Sequence, residues 1–128
     1  MGKLLYENLS HSIIGAAMEV HKTLGYGFLE SVYENALAHE LDLRGVRDER
    51  QKHLPVAYKG LEVGRYIADM VVEEVIIIEL KALSKGLAQE HYAQLINYLV
   101  ATGMQVGLLL NFGRPSLEYK RFARTKKS

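Results

Sequence analysis

Four consecutive aliphatic β-branched residues, Val75, Ile76, Ile77 and Ile78, run directly into Glu79, Leu80 and Lys81. A run without polar alternation marks a strand covered on both faces, so the chain must supply layers above and below it. Side chains two apart point to the same face, about 7 Å apart along the strand. Glu79 and Lys81 therefore project together, while Ile78 and Leu80 face the other way. An unpartnered buried carboxylate is costly, so these charges are paired, metal-bound or near solvent at the strand end. Upstream, Tyr66, Ile67, Ala68, Asp69 and Met70 read as the end of another strand, with Glu73 and Glu74 as a short polar turn. Such a hairpin brings Asp69 beside Glu79.

Two carboxylates and a lysine converging on a sheet make chemical sense around a hard divalent cation. Magnesium takes oxygen ligands, keeps several waters and needs one or two protein carboxylates. Lys81 then stands beside metal-bound water, placed to position or deprotonate it or to offset charge developing on a phosphoryl group. The competing description is an ordinary Glu-Lys pair on a solvated edge strand. The chain has no cysteine, which excludes a disulfide framework, a thiol nucleophile and a cysteine zinc site, and is compatible with a reducing cytoplasm.

With 128 residues, 48% of them apolar and 24% charged, the chain reads as one globular domain over residues 1–128. Leu9, Ile13, Ala16, Ala17, Val20 and Leu24 recur at helical spacing up to a stop at Gly25, with Gly15 as a close-packing point and His21 as a packing or hydrogen-bonding residue. Gly25 and Gly27 permit a tight turn into a second helix marked by Leu29, Val32, Tyr33, Ala36, Leu37 and Leu41. Glu30 lies in that helix's first turn, where the dipole favours a carboxylate. Glu30 and Tyr33 also share a face, so both looking into the Asp69–Glu79 site is the alternative. Residues 46–58 read as extended around Pro55, Lys59-Gly60 as a turn and 61–72 as a strand, giving a three-strand meander with 75–82. A third helix over 87–102 places His91, Gln94 and Tyr98 on one stripe, with Leu95, Ile96 and Leu99 on the apolar side. Val106 to Leu110 is a short strand, and Leu117, Tyr119 and Phe122 mark a last edge element.

Net charge is +1, which gives no overall polyelectrolyte character. Arg114, Lys120, Arg121, Arg124, Lys126 and Lys127 nevertheless cluster against a single Glu118, a patch suited either to phosphates or to bulk solvent. Lys120, Arg121 and Arg124 are its candidate nucleic-acid contacts. The N-terminus makes a poor signal peptide, and no apolar run has membrane-spanning length. The expectation is a soluble cytoplasmic protein without membrane association.

The run Asp69, Glu79, Leu80, Lys81, followed by Gln94 and Tyr98 as Q-x-x-x-Y, resembles the PD-(D/E)XK nuclease superfamily, in particular its RecB-like branch. Gly27-Phe28-Leu29-Glu30-Ser31-Val32-Tyr33 resembles the signature of the small GxxExxY family within it, and the likeness extends through Leu108 to Gly113. Ala68 stands where the pattern's name has proline. The resemblance implies an α/β restriction-endonuclease-like core, a mixed β-sheet flanked by helices in the order ααβββαβ with a possible short final edge strand. It also implies metal ligation by Asp69, Glu79 and Glu30, a catalytic Lys81, supporting roles for Gln94 and Tyr98, magnesium or manganese as cofactor, and DNA in preference to RNA as partner. A single small site cuts one strand at a time, so duplex scission would need two copies or rebinding, and a homodimer or a protein partner is among the expectations. Two other functions fit the same residues: a nucleic-acid-binding or partner-regulating module with little turnover, and a structural ion-pair network in which Lys81 neutralises the two acids.

Overall fold

The structure is a computed structural model, and it describes residues 6–124. In chain order it contains α1 (Glu7–Leu24), α2 (Glu30–Leu43), β1 (Asp48–Tyr58), β2 (Leu61–Val72), β3 (Ile76–Lys81), α3 (Gln89–Thr102), β4 (Val106–Asn111) and β5 (Glu118–Ala123). The strands lie side by side in sequence order; β3 and β4 are parallel and every other neighbouring pair is antiparallel. The sheet is thus mixed, as expected, and the final edge strand is present. Parallel β3 and β4 require a crossover, which α3 supplies.

The Ile run behaves as its composition dictates: Ile76, Ile77 and Ile78 are each 0% exposed. Ile76, Ile78 and Leu80 join Met70, Val72, Leu108 and Leu110 in a core under α1 and α2, where Ile13, Ala16, Ala17, Val20, Leu37 and Leu41 close it. Ile77 turns the other way, to Leu109, Val71 and the α3 residues Leu95 and Leu99. Fully burying each isoleucine contributes about 1.5–3 kcal/mol, so this short strand is the mechanical centre of a helix–sheet–helix sandwich. The α3 stripe is narrower than expected. Ile96 is 42% exposed, because Leu95 and Leu99, four apart, suffice to meet this part of the sheet.

Both hairpin turns contain a pair of left-handed residues: Lys59-Gly60 (φ 49° and 85°) is the whole of the β1–β2 turn, and Glu73-Glu74 (φ 49° and 62°) opens a three-residue β2–β3 turn that takes in Val75, one residue more than the sequence pattern predicts. That pair of positive φ values matches the twist of antiparallel strands. Pro55 is accommodated because β1 is an edge strand.

The segment after β4 fastens the β3–α3 loop. Asn111 is buried and uses its whole amide: Oδ1 accepts the N–H groups of Leu83 (2.8 Å) and Gly113 (3.1 Å), and Nδ2 donates to Leu83 O and Glu118 Oε1 (both 3.0 Å). Glu118 Oε1 also accepts the Leu87 N–H (3.0 Å). Phe112 stacks on Tyr33 with centroids 4.7 Å apart, and His21 Nε2 donates to Arg114 O (2.8 Å). A Cβ at Gly113 would fall 2.5 Å from the Ala82 carbonyl carbon and still nearer the Leu83 nitrogen, so backbone lies against backbone there. Gly113→Ala is therefore expected to cost about 1–3 kcal/mol or more through overpacking, read as a lowered urea midpoint. Gly15→Ala, whose Cβ would meet the flexible Arg44 guanidinium at 3.2 Å, is the comparison and should be neutral or stabilising by up to about 1 kcal/mol. Equal urea midpoints for the two variants would disprove the close-approach account.

Candidate active site

The β2–β3 ladder has three rungs, Val72↔Ile76, Val71↔Ile77 and Met70↔Ile78. A fourth would set Asp69 against Glu79. Instead the strands part, and the two side chains bond backbone N–H groups at the opening. Asp69 Oδ2 accepts the Leu80 N–H (2.9 Å), and Glu79 Oε1 accepts the Asp69 N–H (3.3 Å). Buried backbone donors need partners, so this exchange both satisfies the open strand edges and fixes the two carboxylates beside each other. The strand β2 kinks at that point: Tyr66 and Ala68 pack on the α3 side, and so does Val71, whereas Met70 and Val72 face α1 and α2. Alternation thus slips by one residue at Asp69. Opposite the slip on β1, Gln51 has φ 50°, a strained value for a residue with a Cβ.

Lys81 is two residues beyond Glu79 on the same face of β3. Glu79, Lys81, Gln94, Tyr98, Tyr66 and Arg65 line a cleft of about 470 Å³ that opens between the diverging strand β2 and helix α3. Gln94 Nε2 donates to Tyr98 O–H (3.1 Å), and the Tyr98 ring stacks on Tyr66 with centroids 3.5 Å apart and planes 15° from parallel. The Tyr66 hydroxyl donates a hydrogen bond to Glu79 Oε1. His91 stands apart from this group; its Nδ1 accepts the Ala88 N–H (2.9 Å) at the start of α3. A roomier pocket of about 630 Å³, bordered by Asp42, Asp48, Glu73 and Glu74, lies near the β2–β3 turn. It contains neither Glu79 nor Lys81, so chemistry places the candidate site in the smaller cleft, with Asp69 behind Glu79 rather than on the cleft wall.

Glu30 begins α2, whose N-cap Leu29 makes no side-chain capping bond. Its carboxylate is solvent-exposed and lies within electrostatic reach of Lys81 and Asp69. Tyr33 does not accompany it. Tyr33 is fully buried, donates its hydroxyl to Gly25 O (2.7 Å) and accepts the Phe28 N–H (3.2 Å). Tyr33 therefore shapes the loop that delivers Glu30. Among the described residues no three His, Cys, Asp or Glu side chains form a ready metal cage. The acids that meet directly are two, Asp69 and Glu79, an all-oxygen pair of the kind that suits a hard divalent cation.

Burial dominates the electrostatics. It pushes the Glu79 carboxyl up to about 7 from 4.5, with the nearby Asp69 charge adding to it, while the Tyr66 hydroxyl, the Asp69 N–H and Lys81 pull the other way. Asp69 is also raised by burial, against the Leu80 N–H, Lys81 and a Gln51 hydrogen bond. Gln51 is itself tied to Glu34 Oε1 (3.1 Å), which shares its carboxylate with Arg50. Glu30, exposed on the rim, is raised by partial desolvation from its neighbours against the pull of Lys81, and the Tyr66 phenol is pushed well above its usual range by burial and by Glu79.

The three basic candidates are not brought together. Arg121 donates to Ser10 Oγ (3.2 Å) on the α1 side, and Arg124 donates to Met104 O (3.1 Å) after α3. Lys120 is exposed and registers with Leu109, which registers with Glu79, so it shares the Glu79 face two strands away. Lys126 and Lys127 lie outside the described residues. Tyr66 and Gln51, which bond the two acids, and Glu34, which fixes Gln51 and whose charge repels Asp69, carry no spacing signal; Tyr66 looks like any aromatic strand residue until the hairpin has been built.

The sequence matches the PD-(D/E)XK nuclease superfamily over residues 7–122. The chain belongs to that superfamily. Superfamily membership agrees with a mixed five-stranded sheet between helices, the restriction-endonuclease-like arrangement. Two solved structures are similar in fold: the crystal structure of SSO0001 (TM-score 0.55, 20% identity, covering 95% of this chain and 61% of that one) and an alkaline exonuclease, LHK-Exo, from Laribacter hongkongensis (TM-score 0.54, 13% identity, covering 98% and 73%). The chain thus spans about three fifths of the length of SSO0001. No curated protein matches it. Among the described residues no helix is long and apolar enough to cross a membrane.

In the folded, metal-free superfamily member Glu79 titrates near 7, and in the unfolded chain near 4.5. Below pH 4.5 both states hold the proton; as pH rises through 7 the folded state must ionise a buried acid, and the stability contributed by the neutral form is lost. Glu79→Gln removes that titration. Its stability relative to wild type should rise by about 2–3 kcal/mol between pH 4 and pH 8, measured by denaturant unfolding in chelator. A difference that stays constant with pH would contradict the buried-acid assignment.

Proposed function

We propose that the protein is a magnesium- or manganese-dependent phosphodiesterase acting on nucleic acid, DNA in preference to RNA, and that it is a GxxExxY member of the RecB-like branch. The observation that carries this reading is the Asp69–Glu79 exchange at the parting of β2 and β3, with Lys81 on the same face as Glu79. Asp69 and Glu79 hold the cation, and Glu30 on the rim adds negative charge and a further oxygen donor. A bound magnesium or manganese ion would supply Lewis-acid polarisation of the phosphate. Lys81 positions the attacking water and offsets charge on the phosphoryl oxygens as the new P–O bond to water replaces one ester P–O bond. Gln94 and Tyr98 support the wall of the cleft. One such site cuts one strand, so duplex scission would use two copies of the chain or a second encounter.

Near-neutral net charge favours one second reading, a binding or partner-regulating module on the same fold with little turnover. A divalent-metal titration with thermal melts and a cleavage screen over single-stranded, duplex and branched substrates separates the readings. Wild type should gain about 2.7 kcal/mol of stability at a metal concentration a hundredfold above Kd. Asp69→Ala and Glu79→Ala should each abolish the gain. Lys81→Ala should keep it while cleavage falls by about 10²- to 10³-fold. Metal binding without cleavage of any substrate would select the binding module, and no metal response with or without nucleic acid would leave the ion-pair network.

The basic residues are tested separately. Lys120→Ala should weaken binding alike for all sequences and reduce the salt slope by about 0.9 for duplex DNA. Arg121→Ala and Arg124→Ala should each do the same if those side chains leave Ser10 and Met104 for phosphates; unchanged slopes would return them to structural roles.

A further inference from the structure

We infer that Tyr66 is the positioning residue for Glu79, and that Gln94 and Tyr98 on α3 act on the candidate site through it. The inference rests on the reading of Glu79 as a cation ligand and assigns a role to a residue outside the acid-acid-lysine set. Glu79 accepts two hydrogen bonds, from the Tyr66 hydroxyl and from the Asp69 N–H (3.3 Å), and both fall on Oε1. With Oε1 fixed by two donors, the plane of the carboxylate is set and Oε2 is the oxygen presented to a cation. The side chain cannot swing away without leaving the Asp69 N–H and the phenol unpartnered, and unpaired buried polar groups are costly.

The phenol is in turn held from the opposite layer. Tyr66 lies on the part of β2 that has left β3, so no ladder bond to β3 keeps its ring in place. Its constraint on that side is the Tyr98 ring, stacked at 3.5 Å and 15°, with the Tyr98 hydroxyl accepting from Gln94 Nε2 (3.1 Å). Gln94 and Tyr98 make no hydrogen bond to Asp69, Glu79 or Lys81 among the described residues. Their influence on the acids runs through one aromatic face and one hydroxyl, as outer-shell partners orient metal ligands elsewhere. The α3 helix, packed on Val71, Ile77 and Leu109, thereby sets the direction of a carboxylate on β3.

The test uses calorimetric titration of the full chain with manganese, cleavage kinetics and proton NMR. Tyr66→Phe keeps the ring, its burial and the Tyr98 stack and removes the hydroxyl. It should weaken manganese binding about tenfold and lower kcat with KM for nucleic acid unchanged, and raised manganese should restore the rate. Tyr98→Leu, which removes the stack, should reproduce the loss of affinity; Tyr98→Phe, which keeps it, should cost less. Tyr92→Phe, whose ring meets Phe122 at 5.7 Å and not Tyr66, should alter neither quantity. In the metal-free wild type the buried, hydrogen-bonded Tyr66 hydroxyl proton should be protected from exchange and give a resolved resonance, absent from Tyr66→Phe. Unchanged manganese affinity in Tyr66→Phe, or no such resonance in wild type, overturns the positioning role and leaves the nuclease reading standing. Failure of wild type itself to bind manganese overturns both.

Discussion

Everything at the candidate site depends on where a β-ladder stops. After three rungs β2 and β3 part, and the backbone N–H groups of Asp69 and Leu80 at the opening are bonded by the Glu79 and Asp69 carboxylates. A carboxylate at a strand opening of this kind is at once a structural acceptor and a negative charge aimed into a cleft. The two duties oppose each other energetically: burial raises the pKa of each acid, while the backbone donors and Lys81 lower it. A cation between the acids would relieve that opposition, and in its absence the raised Glu79 holds its proton up to about pH 7.

The fold around this opening is arranged to keep it open yet rigid. On one side the Ile76–Ile78 segment is closed by both helical layers. On the other, Asn111 and Glu118 tie the loop that follows Lys81 to the end of β4, and Gly113 permits the backbones to touch. Lys81 thus leaves a strand whose last residues are bounded by β4 and whose exit is fastened by a buried amide. Glu30 arrives from a third direction, on a loop organised by the Tyr33 hydroxyl. The tyrosine of the Gly27–Tyr33 stretch is accordingly a scaffold for the glutamate three residues before it.

Much of this was legible in the sequence, and the reasons are local. The aliphatic run announced a doubly covered strand, the Lys59-Gly60 and Glu73-Glu74 pairs marked both turns, and Gly25 and Gly103 ended the first and third helices. Strand periodicity put Glu79 and Lys81 on one face. What periodicity could not supply was any interaction created by the parting of strands. Tyr66, Gln51 and Glu34 reach the acids from three elements at no fixed spacing. Ile96 has the same hydropathy as its buried neighbours, and only the limited footprint of α3 on the sheet explains its exposure. The basic residues near the C-terminal end form a cluster along the chain, but β5 alternation and two intramolecular hydrogen bonds distribute Lys120, Arg121 and Arg124 to different surroundings.

The same parting divides β2 into two parts with separate obligations. Residues 70–72 are locked between β1 and β3 and belong to the core. Beyond Tyr66 towards the tip, β2 is paired with β1 alone, and Tyr58, Leu61 and Val63 are all exposed. Mutation, lengthening or shortening of that tip disturbs no buried rung, and exposed hairpin tips tolerate such change well. The chain can therefore alter the shape of the wall beside its acids over evolutionary time without renegotiating the stability of the sheet that holds them.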